Sequence, residues 1–150
     1  MSNIQAENKG LEQEVFDIIC TVYDGQRCHE TMGLKITYLG PGVAGMRIVP
    51  DPVFSTTGGR VHGGIIATAL DSVMGAAAAT LGHVYRTLDM SLNYVAPAFE
   101  ETELRAEATV IHPGKTAAVI DGSLYNNEGK LVAKSRATFI RDTKIPPRKK

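Results

Sequence analysis

Tryptophan is absent from this chain, and only 6% of its 150 residues are aromatic. The interior therefore cannot rest on large rings, and smaller side chains must fill it. Net charge is lacking too, since 16 Lys and Arg stand against 16 Asp and Glu. The whole-chain field that draws proteins onto nucleic acid or anionic membranes is missing, which disfavours a general nucleic-acid binder. Cysteine is scarce: Cys20 and Cys28 are the two, and they form no CxxC pair. That excludes a disulfide framework and offers no zinc motif, so both thiols are expected reduced. The 4 histidines are scattered singly, so no metal is expected. The opening Met1 to Glu7 has neither the basic start nor the apolar run of a targeting peptide, from which a cytoplasmic location is expected.

Glycine is what the chain has in quantity, at 15 residues. Its length is one domain's worth, and residues 1–150 are read as a single domain. Leu11, Val15, Ile18, Ile19 and Val22 share one helical face, which places an N-terminal helix at about residues 10–24. Leu34, Ile36 and Tyr38, then Ala44, Met46 and Ile48, alternate about the turn Gly40-Pro41-Gly42 and read as a β-hairpin. From Val61 to Gly82 the one formally charged side chain is Asp71. The apolar stretch Ile65 to Leu81 is short for a membrane span and interrupted, so it reads as a helix wrapped by a sheet. Four strands follow: Arg86 to Tyr94, Leu104 to Val110, Thr116 to Tyr125 and Leu131 to Phe139. In the first of them Leu88, Met90, Leu92 and Tyr94 alternate with Thr87, Asp89, Ser91 and Asn93. The expectation is an α+β fold with an antiparallel sheet and one buried helix, ending in a mobile tail at about residues 142–150.

Asp71 is the first candidate for chemistry, because a carboxylate in an apolar helix loses several kcal/mol of hydration unless something compensates it. It reads either as a carboxylate bonded to Thr68 or Ser72, or as a general base or nucleophile. Upstream, Thr57-Gly58-Gly59-Arg60-Val61-His62-Gly63-Gly64 leads into the helix, and first-turn amides with the helix dipole suit an oxyanion. The segment lacks the ending of a phosphate P-loop. Gly64 and Asp71 are 7 residues apart, roughly 10 Å along a helix axis, too far for both to serve one carbonyl. A site composed from two chains, Gly64 N–H from one and Asp71 from the other, resolves the distance. His62 reads as a loop-supporting side chain.

The His62-Gly63-Gly64 motif, Asp71 nine positions after His62, and the strand Thr87 to Ala98 with its Tyr94-Val95-Ala96-Pro97-Ala98 end resemble the hotdog-fold acyl-CoA thioesterases of the phenylacetate-degradation type. Thr31-Met32-Gly33-Leu34 and the turn after it resemble that family's opening hairpin, and Gly129 to Phe139 its last strand. The resemblance implies a central helix wrapped by a curved antiparallel sheet, homodimers or homotetramers with composite sites, and hydrolysis of acyl-CoA without a cofactor. By position it implies Asp71 as the catalytic carboxylate, Gly64 as the oxyanion donor and Thr87 as the hydroxyl that places water. His62 and Gly63 belong to the binding motif. Six residues before His62, where relatives carry Asn or Gln, stands Thr56. Arg60, Lys115 and Arg136 are the candidates for the CoA phosphates. The competing readings are an acyl-CoA-binding module without catalysis, and an enoyl-thioester hydratase or dehydratase on the same fold.

Overall fold

The computed structural model describes residues 5–145. Their chain order is β1 (Glu7–Asn8), α1 (Gln13–Asp24), α2 (Arg27–Met32), β2 (Lys35–Gly40), β3 (Val43–Ile48), a single 3-10 turn (Pro52–Phe54), α3 (Gly63–Ala79), β4 (His83–Tyr94), β5 (Leu104–Pro113), β6 (Ala117–Tyr125) and β7 (Leu131–Lys144). The strands form one seven-stranded sheet in the order β1-β2-β3-β5-β6-β7-β4. Neighbours are antiparallel except the two-residue β1, which runs parallel to β2. The α+β architecture expected from the sequence is present, with the helix wrapped by the sheet.

That helix is α3. Ile66, Ala69, Leu70, Val73, Met74 and Ala76 to Ala79 are all buried on it, and it packs against β3, β4, β5 and β6. Small residues let it sit close. A Cβ on Gly122 of β6 would stand 3.0 Å from Met74 Cγ, so a side chain there would push helix and sheet apart. The core is accordingly aliphatic, with Leu70, Met74, Leu104, Ile120 and Leu124 fully buried and Phe139 the one large ring among them. Among the described residues no helix is long and apolar enough to cross a membrane.

Beyond shifts of a few residues at strand ends, four features differ from the sequence reading. The first helix starts at Gln13 because Asn8 accepts from the Gly10 and Leu11 amides at 3.1 and 2.8 Å, holding a turn ahead of it. Thr31 and Met32 do not open the hairpin; they end the extra helix α2, which Gly33 caps in the left-handed region at φ 70°. The last strand continues through Asp142 to Lys144, pairing with His83 and supported by an Arg86–Asp142 ion pair of 2.7 Å. Residues 142–144 thus belong to the sheet, the Ile145 amide donates to Gly82 O at 3.0 Å, and the rest of the expected tail, Pro146 to Lys150, lies outside the described residues.

The fourth difference positions the site. Thr87 pairs with Phe139 but Asp89 pairs with Thr138, so Leu88 is an extra residue in β4. A one-residue bulge reverses the alternation. Thr87 therefore shares the helix-facing side with Met90, Leu92 and Tyr94, opposite buried Phe139, Ala137, Ser135 and Ala133. Asp89, Ser91 and Asn93 point outward, and Thr87 does not keep company with them as simple alternation implies.

Candidate active site

The loop before α3 is held from both sides: Val61 N–H donates to Ala98 O and His62 N–H to Phe54 O, each at 2.9 Å. His62 then caps the helix. Its extended backbone (φ −60°, ψ 135°) turns the ring back so that Nδ1 accepts from Gly64 N–H at 2.9 Å. The Ile65 amide donates to His62 O at 2.9 Å. Gly63 O accepts from the Tyr94 hydroxyl at 2.7 Å, which ties the helix start to β4. The Gly63 N–H, by contrast, has no acceptor among the described residues.

The first two amides of α3, either of which could face an oxyanion, differ in their engagement. The Gly64 amide is committed to His62, whereas the Gly63 amide is open. His62 caps the start of α3, and because Nδ1 accepts, its proton sits on Nε2.

Asp71 lies two turns further along, partly exposed. Thr87 Oγ1 donates to Asp71 Oδ1 at 2.7 Å, a charge-assisted bond that fixes the carboxylate. The neighbours that the sequence offered as local partners of Asp71 are engaged elsewhere: Thr68 donates to Gly64 O at 2.9 Å, and Ser72 Oγ lies 2.9 Å from His29 Nε2. His29 is buried, and its Nδ1 lies 3.1 Å from Tyr23 O. A carbonyl can only accept, so Nδ1 carries the proton and Ser72 donates to Nε2. Burial lowers the His29 pKa from its ordinary value and keeps the ring neutral. Tyr23 stacks on that ring with centroids 5.2 Å apart. Burial pushes its phenol above the ordinary range, and the Asp71 charge pushes it further the same way.

The remaining expected residues scatter. Thr56 is turned back on its own loop, its amide and hydroxyl both donating to Arg60 O at 2.7 and 3.1 Å, so its side chain closes a turn. Arg60 is exposed on that loop. Arg136 does not offer a free cation: it holds Asp121 through two bonds of 2.6 and 3.0 Å on the outer sheet face. Lys115 is exposed at the β5–β6 turn, where its carbonyl accepts from Arg141 of β7 at 3.1 Å. Sequence reasoning missed Tyr23, His29 and Tyr94 as partners of α3. Only Tyr94 carried a signal, as part of the strand-end motif.

Over residues 58–133 the chain matches the thioesterase superfamily. Human acyl-coenzyme A thioesterase 13 is 27% identical over 85% of this chain and 94% of its own. The fold is similar to Escherichia coli PaaI, a protein of the phenylacetic acid degradation operon, with a TM-score of 0.86 and 22% identity over 91% of this chain and 100% of that one. It is also similar to a hypothetical thioesterase protein of Streptococcus pneumoniae whose structure holds coenzyme A, with a TM-score of 0.72 and 25% identity over 75% and 88% of the two chains.

Proposed function

The chain belongs to the thioesterase superfamily, and from that premise we propose that it hydrolyses acyl-CoA thioesters with Asp71 as general base and the Gly63 N–H as oxyanion donor. The observation that carries the reading is the Thr87–Asp71 bond of 2.7 Å on a partly exposed face of a helix whose first amide is open. The relatives' names support acyl-CoA as the substrate: one is an acyl-coenzyme A thioesterase, and another structure holds coenzyme A.

The chemistry follows from the donors and acceptors. Thr87 spends its hydroxyl proton on Asp71 Oδ1 and keeps lone pairs free, so a water can donate one proton toward Thr87 and one toward the second carboxylate oxygen. As its oxygen adds to the thioester carbon, the water gives a proton to Asp71, and charge develops on the carbonyl oxygen. The Gly63 N–H and the positive end of α3 stabilise that charge. Collapse breaks the carbon–sulfur bond, the thiolate takes the proton back from Asp71, and acid and CoA leave. Among the candidate cations, Arg60 stands nearest in sequence to the α3 N-terminus and is our choice for a phosphate contact.

Geometry supports a site shared by two chains. Gly63 and Asp71 are 8 residues apart on one helix, about 12 Å along its axis. One chain cannot bring both to a single carbonyl. The site is therefore assembled from two chains, and β4 is the edge where a second copy would join the sheet: it has one sheet neighbour, and Leu88 and Tyr94 are 64% and 53% exposed on it.

The test is CoA release from a panel of acyl-CoAs by the native chain, Asp71→Asn and Gly63→Pro. Proline is tolerated at the first helical position and His62 already has the extended backbone that precedes it, so the change deletes the amide donor; its Cβ would stand 3.0 Å from the Tyr94 hydroxyl, and Gly63→Ala, which adds that Cβ and keeps the amide, is the control. Asp71→Asn and Gly63→Pro should each lose about 10²-fold or more in kcat with small change in KM. Full activity in Asp71→Asn would remove the base assignment, and full activity in Gly63→Pro the oxyanion assignment. Single turnover in heavy-oxygen water separates the modes: label in the product acid alone supports general base, and label in the Asp71 carboxylate means direct attack.

A further inference from the structure

The exposed strip of α3 that carries Asp71 ends at Gly75. This glycine follows Asp71 by one turn on the same face, about 6 Å along the axis. It remains partly exposed, whereas Ala76 to Ala79 beyond it are buried. A Cβ on Gly75 would stand 3.0 Å from the Tyr23 hydroxyl and 3.5 Å from a ring carbon of Phe139. Two aromatic rings thus close on bare helix backbone one turn from the carboxylate. Phe139 is fixed in the core opposite Thr87 on the neighbouring strand. Tyr23 is fixed by its stack on His29, which is itself pinned between Tyr23 O and Ser72 Oγ.

The two directions along α3 from Asp71 differ in chemistry. Toward the N-terminus the same side carries Thr68, with its hydroxyl on Gly64 O. Toward the C-terminus lie Gly75 and the two rings. An apolar acyl group leaving the reacting carbonyl gains by taking the second direction. It then meets the rings after one helical turn.

Resting on the thioesterase reading above, we propose that Tyr23, seated over Gly75, is the end wall of the acyl site and selects short or compact acyl groups, aromatic or branched, over long fatty chains. Tyr23 acts on substrate shape and is not asked to move a proton. Its neutral phenol, kept protonated by burial, adds no charge beside Gly75 and Phe139.

The experiment measures kcat/KM on acyl-CoAs from acetyl through phenylacetyl to palmitoyl, and in parallel the calorimetric affinity for S-alkyl-CoA thioethers of increasing length. Tyr23→Ala should raise the palmitoyl-to-acetyl ratio of kcat/KM by about tenfold or more. Gly75→Ala, which adds a methyl at the wall, should lower phenylacetyl turnover by about tenfold relative to acetyl. Thioether affinities should shift in the same directions. A folded Tyr23→Ala protein with an unchanged length profile overturns the proposal. If that variant does not fold, an unchanged profile in Gly75→Ala overturns it. Should the native chain release no CoA while Tyr23→Ala still extends the thioether length it binds, the wall stands and the hydrolase reading falls.

Discussion

At the scale of single residues, the Thr87 hydroxyl is the test of how much the site depends on a fixed carboxylate. A hydrogen bond to a charged group contributes about 1.5–3 kcal/mol, so Thr87→Val should lower kcat by roughly ten- to a hundredfold and leave KM near its native value. Thr87→Ser, which restores the donor, should recover most of the loss, and equal rates for all three proteins would remove Thr87 from the mechanism. The two cysteines allow a separate check. Burial, with Asp24 and Asp17 nearby, pushes the Cys20 thiol up to about 11, whereas Cys28 is exposed. Iodoacetamide at neutral pH should label Cys28 and reach Cys20 only on unfolding, read by peptide mass. Asp71 was legible in the sequence because it is the single charge in an apolar run. Which first-turn amide stays open was not legible, since Gly63 and Gly64 look alike until the His62 ring chooses one of them.

At the scale of elements, periodicity found the long strands and the central helix and failed where an element is short or its phase slips. α2 has 6 residues, too few to show a helical period, and the bulge at Leu88 reversed the expected facing of Thr87. Both matter to the site. α2 docks on α3 through neutral His29, and that makes the docking sensitive to pH. Burial holds the folded His29 below the ordinary 6.5, so below that value the unfolded chain binds a proton that the folded chain resists. Stability is full above 6.5 and falls as pH drops toward the folded value. Thermal melts should show Tm declining from neutral pH to about pH 5, with a flatter slope in His29→Asn. Asp121, held low by Arg136, loses its contribution only as pH falls below its ordinary 3.8, whereas the His29 loss begins at 6.5. An unchanged slope in His29→Asn would assign the pH dependence to other groups.

At the scale of the whole molecule, the question is whether one chain or two make a site. The proposed two-chain site rests on the helix rise: groups about 12 Å apart on a rigid helix do not meet one carbonyl carbon. The sequence already contained that arithmetic, and the structure adds an engaged Gly64 amide, an open Gly63 amide and β4 as an edge strand with one neighbour. Two defective proteins can decide it together. Asp71→Asn keeps Gly63, and Gly63→Pro keeps Asp71. If each site takes its amide from one chain and its carboxylate from the other, a hybrid dimer of the two variants has one site with both groups intact and one with neither. Hybrids co-expressed with different tags and purified through both should then show about half the native kcat per dimer, although each parent is nearly inactive. If amide and carboxylate come from the same chain, every site in the hybrid carries one defect, and its activity stays at the level of the parents.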